Sequence, residues 1–111
     1  MNLAVLRDYW YPVARAEELA DAPVATTLLD EALVVWRSPA GVHACLDLCI
    51  HRGSPLSRGW LEDGCVVCPY HAWTYDGTGR CVRIPALAAD APIPAKARVP
   101  AYQCQERYGL V

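Results

Sequence analysis

Apolar positions along this chain fall in short runs separated by turn-forming residues, and they rarely show the spacing of a helical face. Trp10-Tyr11-Pro12-Val13-Ala14 reads as a first strand or strand entry, and Ala16 to Ala20 as one helical turn. Leu33 to Arg37 is rich in β-formers, Ser38-Pro39-Ala40-Gly41 turns the chain, and Val42 to Leu46 is the partner strand of a hairpin. Glu62-Asp63-Gly64 is another turn before the short strand Cys65 to Val67. Asp76-Gly77-Thr78-Gly79 is a third, followed by a strand over Arg80 to Ile84. From Ala86 to Pro100 alanine and proline dominate, which predicts an irregular surface connection. Tyr102 to Arg107 alternates enough for a last strand. There is no internal repeat. The fold class that follows is all-β, with many short strands and Gly/Pro-rich turns.

Composition narrows the setting. A length of 111 residues suits one domain with a modest core, in which a bound metal centre would add stability. Apolar residues make up 54% and charged residues 20%, an ordinary globular balance, and the net charge of −2 comes with no basic stretch that suggests nucleic acid. The apolar run Leu3 to Leu6 is broken by Arg7 and Asp8, too short for an export signal or a membrane span. The expected compartment is the cytoplasm. There, six cysteines point to metal binding before disulfides.

Two short segments carry the chemistry. One is Cys49-Ile50-His51-Arg52-Gly53 and the other Cys68-Pro69-Tyr70-His71, with 16 residues between His51 and Cys68. Each offers one soft thiolate and one imidazole, a set suited to iron–sulfur or to zinc. Each follows a predicted strand, where facing hairpin loops would make a four-ligand site. For zinc, Cys65-x-x-Cys68 looks like half a ribbon, but Cys45-x3-Cys49 makes a poor second half. Cys45, Cys65, Cys81 and Cys104 lie on or beside predicted strands and read as small packed apolar residues. His43 lacks ligand spacing and reads as a partly exposed strand histidine. Trp36 and Trp60 read as core.

The surrounding residues resemble the Rieske family. His51-Arg52-Gly53-Ser54-Pro55-Leu56 and Cys68-Pro69-Tyr70-His71-Ala72-Trp73-Thr74-Tyr75-Asp76-Gly77 are similar to the N-terminal domain of Rieske non-haem iron oxygenases. Trp10-Tyr11-Pro12-Val13-Ala14, Gly79-Arg80-Cys81 and Ile84-Pro85 fit the same group, nearest the vanillate demethylase- and phthalate dioxygenase-like enzymes. The resemblance implies an antiparallel β-sandwich with a small cluster-binding subdomain of two hairpin loops, about residues 47–77, within a single domain spanning 1–111. It implies a [2Fe-2S] cluster, with Cys49 and Cys68 on one iron and His51 and His71 on the other. Arg52, Gly53, Pro69, Tyr70, Trp73 and Tyr75 would surround it. Gly53 is expected to meet a backbone angle or close approach that the loop needs. At Ala72 the family usually has glycine.

It also implies a role. In that family a reductase or ferredoxin supplies single electrons to the cluster, which feeds a mononuclear Fe(II) in a C-terminal catalytic domain, often of a neighbouring subunit in a trimer. That iron is usually held by two histidines and a carboxylate, and it oxygenates an organic, often aromatic, substrate. No histidine follows His71, so this chain is expected to be the electron-transfer part, with that second iron site outside it. A free-standing Rieske ferredoxin is the alternative reading, and a zinc-stabilised interaction module the third. Neither nucleic acid nor membrane is an expected partner.

Replacing two thiolates by imidazoles leaves the oxidised cluster neutral, since two ferric ions balance two sulfides and two thiolates. Adding an electron is then easier and the potential rises. High-potential relatives in respiratory complexes join the two loops by a disulfide at the positions of Ser54 and Tyr70. They also have a serine, donating to a bridging sulfide, at the position of Trp73. This chain lacks both devices and keeps Tyr75 as a donor. A redox titration is therefore expected to give about −150 to 0 mV, and a value above about +200 mV would exclude this sequence reading.

Overall fold

A computed structural model describes residues 9–50, 53–88 and 90–111. Its strands form two four-stranded antiparallel sheets. The first contains β1 (Val24–Leu28), β2 (Glu31–Ser38) and β3 (Gly41–Leu46), with the later strand β8 (Ala101–Tyr102) beside β3. The second is a meander of β4 (Trp60–Glu62), β5 (Cys65–Val67), β6 (Thr74–Tyr75) and β7 (Cys81–Arg83). The described residues contain no α-helix, only two single 3-10 turns at Ala16–Glu18 and Leu56–Arg58.

Turn chemistry sets the registers. Asp63 and Gly64 both have positive φ, 51° and 78°, and join β4 to β5 with Glu62 opposite Cys65. Consecutive left-handed residues give a turn whose twist matches that of the strands it joins. Leu29 and Asp30 do the same between β1 and β2, with Leu28 opposite Glu31. Leucine is a poor residue for that conformation, and this is why the sequence gives no warning of the turn or of β1. β2 and β3 pair from Leu33↔Leu46 to Ser38↔Gly41, as the hairpin reading expects.

The first sheet is apolar on both faces at its centre, so Leu33, Val34, Val35 and Trp36 form one continuous buried run. Val34, Trp36 and Cys45 pack with Leu56, Val66, Tyr75, Cys81, Ile84 and Val99 in the main core. On the opposite face Val35 and Ala44 meet Leu19 and Val111. Trp36 is fully buried and its indole N–H donates to the Gly64 carbonyl at 2.9 Å, tying the first sheet to the β4–β5 turn of the second.

Three expectations need correction. Trp10 to Ala14 is not a strand. Its end is tied down by Val13 N–H to Val111 O at 2.8 Å and Val111 N–H to Ala14 O at 2.9 Å. The last strand covers only Ala101–Tyr102, because the chain then closes a turn through Tyr108 and Gly109, both at positive φ, with Arg107 and Leu110 exchanging backbone bonds. Trp60 is 43% exposed and not core, since β4 is an edge strand and its first residue faces outward.

His43 is half-buried on β3, its ring 5.3 Å from Trp36 and its Nε2 2.6 Å from Ser38 Oγ. Burial lowers its pKa from the ordinary 6.5, with Asp76 opposing. A lowered folded pKa means the unfolded chain binds the proton better. The contribution to stability is whole above about 6.5 and is lost as the pH falls through the folded value. Melting curves between pH 7 and pH 5 are expected to fall more steeply for the wild type than for His43→Gln. Equal slopes would refute the assignment.

Candidate metal centre

The two cysteine segments lie on connections between strands. The first runs from β3 to β4 and is braced at its base by Asp47. This carboxylate accepts from Ser57 N–H at 2.7 Å and from Ser57 Oγ–H at 2.5 Å. Within the loop, Gly53 N–H donates to Cys49 O at 2.7 Å and Cys49 N–H to Ser54 O at 2.8 Å. Gly53 takes φ +71°, which glycine adopts without strain, as expected. Gly59 ends the loop against β5 so closely that an added Cβ would lie 1.7 Å from Val67 O.

The second loop joins β5 to β6 and closes with Cys68 N–H to Trp73 O at 2.8 Å. His71 and Ala72 are both left-handed, with φ of 71° and 57°, and reverse the chain in the space available. Pro69 and Tyr70 lie exposed at its tip, the Tyr70 ring edge-on to His71 at 4.5 Å. Trp73 is half-buried and packs on the main core, where it shields the loop base.

These loops place Cys49 and Cys68 together. Both are buried, 1% and 0% exposed, and the two thiols lie beside each other in the main core. Tyr75, fully buried on β6, reaches Cys49 Sγ with its hydroxyl at 3.2 Å. That oxygen also accepts Ile50 N–H at 3.3 Å, and against a Cys49 thiolate, which has no proton to give, its own proton would be directed at the sulfur. Cys68 Sγ accepts from Tyr70 N–H at 3.4 Å, and the nearby Ser54 side chain favours its thiolate form. Burial pushes the Cys68 thiol pKa up. It also pushes up the Tyr75 phenol, with Cys49 adding to the effect. A thiol in such a place stays protonated until a cation takes its proton's place.

Three of the residues singled out from sequence thus meet: Cys49, Cys68 and Tyr75. His71 directly follows the loop tip and is exposed, while His51 and Arg52 lie outside the described residues. Among the described residues no three His, Cys, Asp or Glu side chains gather as a ligand set. Two neighbouring buried sulfurs, each with a hydrogen-bond donor aimed at it, fit a thiolate-ligated iron of an iron–sulfur cluster. Sequence reasoning missed Ser54 as a neighbour of the Cys68 sulfur and Asp47 as the brace; a serine adjoining the ligand loop was the only signal. The remaining cysteines are free thiols. Cys45 and Cys81 are buried, Cys65 and Cys104 half-buried, and burial raises the Cys45 pKa to about 12. They behave as packing residues. An open groove of about 730 Å³ lies elsewhere, walled in part by Trp10, Leu33, Ala44 and Val111.

A family profile described as the Rieske [2Fe-2S] domain matches residues 9–103. The chain belongs to the Rieske [2Fe-2S] domain family. The cofactor of this Rieske domain is therefore a [2Fe-2S] cluster. It is 42% identical over 112 residues to methylxanthine N1-demethylase NdmA of Pseudomonas putida, a match covering 96% of this chain and 32% of that protein. With the oxygenase component of dicamba O-demethylase from Stenotrophomonas maltophilia it shares 40% over 110 residues, covering 98% and 32%. Among solved structures, Pseudomonas putida CBB5 NdmA with caffeine superposes at a TM-score of 0.91, with 40% identity over 97% of this chain and 33% of that one. The Rieske domain spans about a third of the length of these relatives. Among its described residues no helix is long and apolar enough to cross a membrane.

Ala72 now has a physical cost. At φ 57° its Cβ crowds the backbone, so Ala72→Gly is expected to stabilise the cluster-loaded protein by about 1 kcal/mol. Thermal unfolding checks this, and a destabilised variant would show that the alanine methyl contributes more by packing than it costs in strain.

Proposed function

We propose that this chain is the electron-transfer domain of a Rieske non-haem iron oxygenase, with Cys49 and Cys68 binding one iron of the cluster and His51 and His71 the other. The meeting of the two buried thiols at the ends of facing loops, with the Tyr75 hydroxyl at Cys49 and Tyr70 N–H at Cys68, supports this reading most directly. The cluster-binding part is residues 47–77 of a single domain over 1–111. When bound, the cluster supplies a site that takes up and releases one electron at a time.

The residues of the chain do the rest. Cys49 and Cys68 anchor the inner side, where Leu56, Tyr75 and Cys81 exclude water. His71 stands on the exposed side, at a turn that presents it to a partner. Tyr75 O–H and Tyr70 N–H stabilise charge on the sulfurs, most strongly when an added electron increases it. Apolar Ile50 and Tyr70, half exposed beside the ligands, would lie against the surface of the acceptor.

The parent enzyme would receive electrons from a reductase or ferredoxin. It would pass them to a mononuclear Fe(II) in a catalytic domain of the same or a neighbouring subunit of a trimer. Relatives named as demethylases of methylxanthine and dicamba favour oxygenation or demethylation of an aromatic substrate. The proposed compartment is the cytoplasm.

Metal analysis of anaerobically purified protein tests the reading. Two irons and two labile sulfides per chain are expected. Dithionite should produce the EPR signal, of low average g, of a histidine-ligated cluster. One zinc without sulfide would overturn the assignment. Tyr75→Phe should lower the potential by roughly 40 mV, about 1 kcal/mol of lost differential hydrogen bonding for a one-electron couple. An unchanged potential would remove the tyrosine from the ligand environment.

A further inference from the structure

A flank of the second sheet carries charge that the fold itself does not use. Between residues 80 and 98 the chain has four basic residues, Arg80, Arg83, Lys96 and Arg98, and one acid, Asp90, although its net charge is −2. Arg80 and Arg98 are directly opposed across an isolated antiparallel bridge, and both are exposed. Like charges in opposed positions repel, so this arrangement lowers stability. A register shift between Thr74 and Tyr75 places Tyr75 opposite Cys81 and Thr74 opposite Arg83, leaving Val82 as the extra residue. Val82 and Arg83 therefore both lie on the surface, between buried Cys81 and Ile84. None of the four cations has an ion pair or side-chain hydrogen bond among the described residues. The neighbouring carboxylate, Asp76, is taken by the Thr78 N–H and hydroxyl and by the Arg80 N–H.

The flank lies directly behind the cysteine pair. Cys81, on the inner side of β7, shares the main core with Cys49, Cys68 and Tyr75. Arg83 stands opposite Thr74, next to Trp73, whose carbonyl closes the Cys68 loop. The tip of the loops is different in kind, with Ile50 and Tyr70 exposed and apolar.

Resting on the electron-transfer reading above, we infer that Arg80, Arg83 and Arg98, around the apolar Val82, form the docking face for an acidic electron-donor protein, leaving the apolar tip to the acceptor. Charge complementarity identifies the occupant. Three unpaired guanidiniums on and beside the edge strand β7 seek carboxylates, and a donor seated there is one strand away from Tyr75 and the sulfur that it touches. The step moves one electron. The donor is oxidised and the cluster reduced, with no bond made or broken.

The test uses the cluster-loaded chain and a reduced plant-type [2Fe-2S] ferredoxin, an acidic carrier of lower potential. Binding is followed by calorimetry and electron transfer by stopped-flow absorbance, each across a range of salt. The wild type should bind and accept electrons, both falling as salt rises. Arg80→Gln/Arg83→Gln/Arg98→Gln should bind at least about tenfold more weakly at low salt and slow transfer to match, with a flattened salt dependence. Its absorbance, EPR spectrum and reduction by dithionite should be unchanged. The corresponding triple lysine variant should keep most of the binding. A glutamine variant with an intact spectrum that binds like the wild type would overturn the proposal. So would a wild type that ignores the ferredoxin, or one that binds anionic vesicles or duplex DNA through these arginines instead. Iron and sulfide analysis of the wild type separately decides the electron-transfer reading, while the ferredoxin titration decides the docking face.

Discussion

Two loops with almost no regular structure of their own must be held at one separation if their sulfurs are to share a metal. The structure meets this constraint through the Tyr75 hydroxyl. It sits on β6, just past the second loop, yet bonds Cys49 Sγ and Ile50 N–H of the first. One buried side chain thus links the two loops, and its burial depends on the core that both sheets share. Trp36 makes the equivalent link on the far side, from β2 to Gly64. Cross-links from single polar atoms at buried positions fix geometry more tightly than apolar contact, because leaving such an atom unmatched is costly.

What could be read from sequence follows from how local each signal is. Membership of the Rieske family was legible because the cysteine and histidine segments are local patterns, and the Pro, Gly, Trp and Tyr around them form a dense signature. The β2–β3 hairpin and the Glu62-Asp63-Gly64 and Asp76–Gly79 turns were legible for the same reason. β1 was not, because its turn uses Leu29 where glycine or asparagine would announce it. The last strand was overdrawn, since alternation after Tyr102 continues in the sequence while the backbone turns away to meet Ala14. Trp60 was misplaced because nothing local distinguishes an outward edge position from an inward one.

Ser54 is the most informative miss. Its place had been noted only for the disulfide that it cannot form. In the fold its side chain comes near Cys68 of the other loop and favours the thiolate there. Which atoms a short polar side chain can reach depends on loop closure, here the Gly53 N–H to Cys49 O and Cys49 N–H to Ser54 O pair, and no spacing rule encodes that.

The extra residue in β7 has a bearing on solubility. The edge of a sheet offers unpaired backbone groups to any passing strand, and short domains rich in β-structure aggregate by that route. The irregularity at Val82 breaks the even spacing that a newcomer would need, and the bridge from Arg80 to Arg98 occupies one end of the edge. The charged side chains that flank it make a stacked copy repel itself. The outermost strand of the second sheet is thus guarded against further pairing by its irregularity and its charges, without a proline in it.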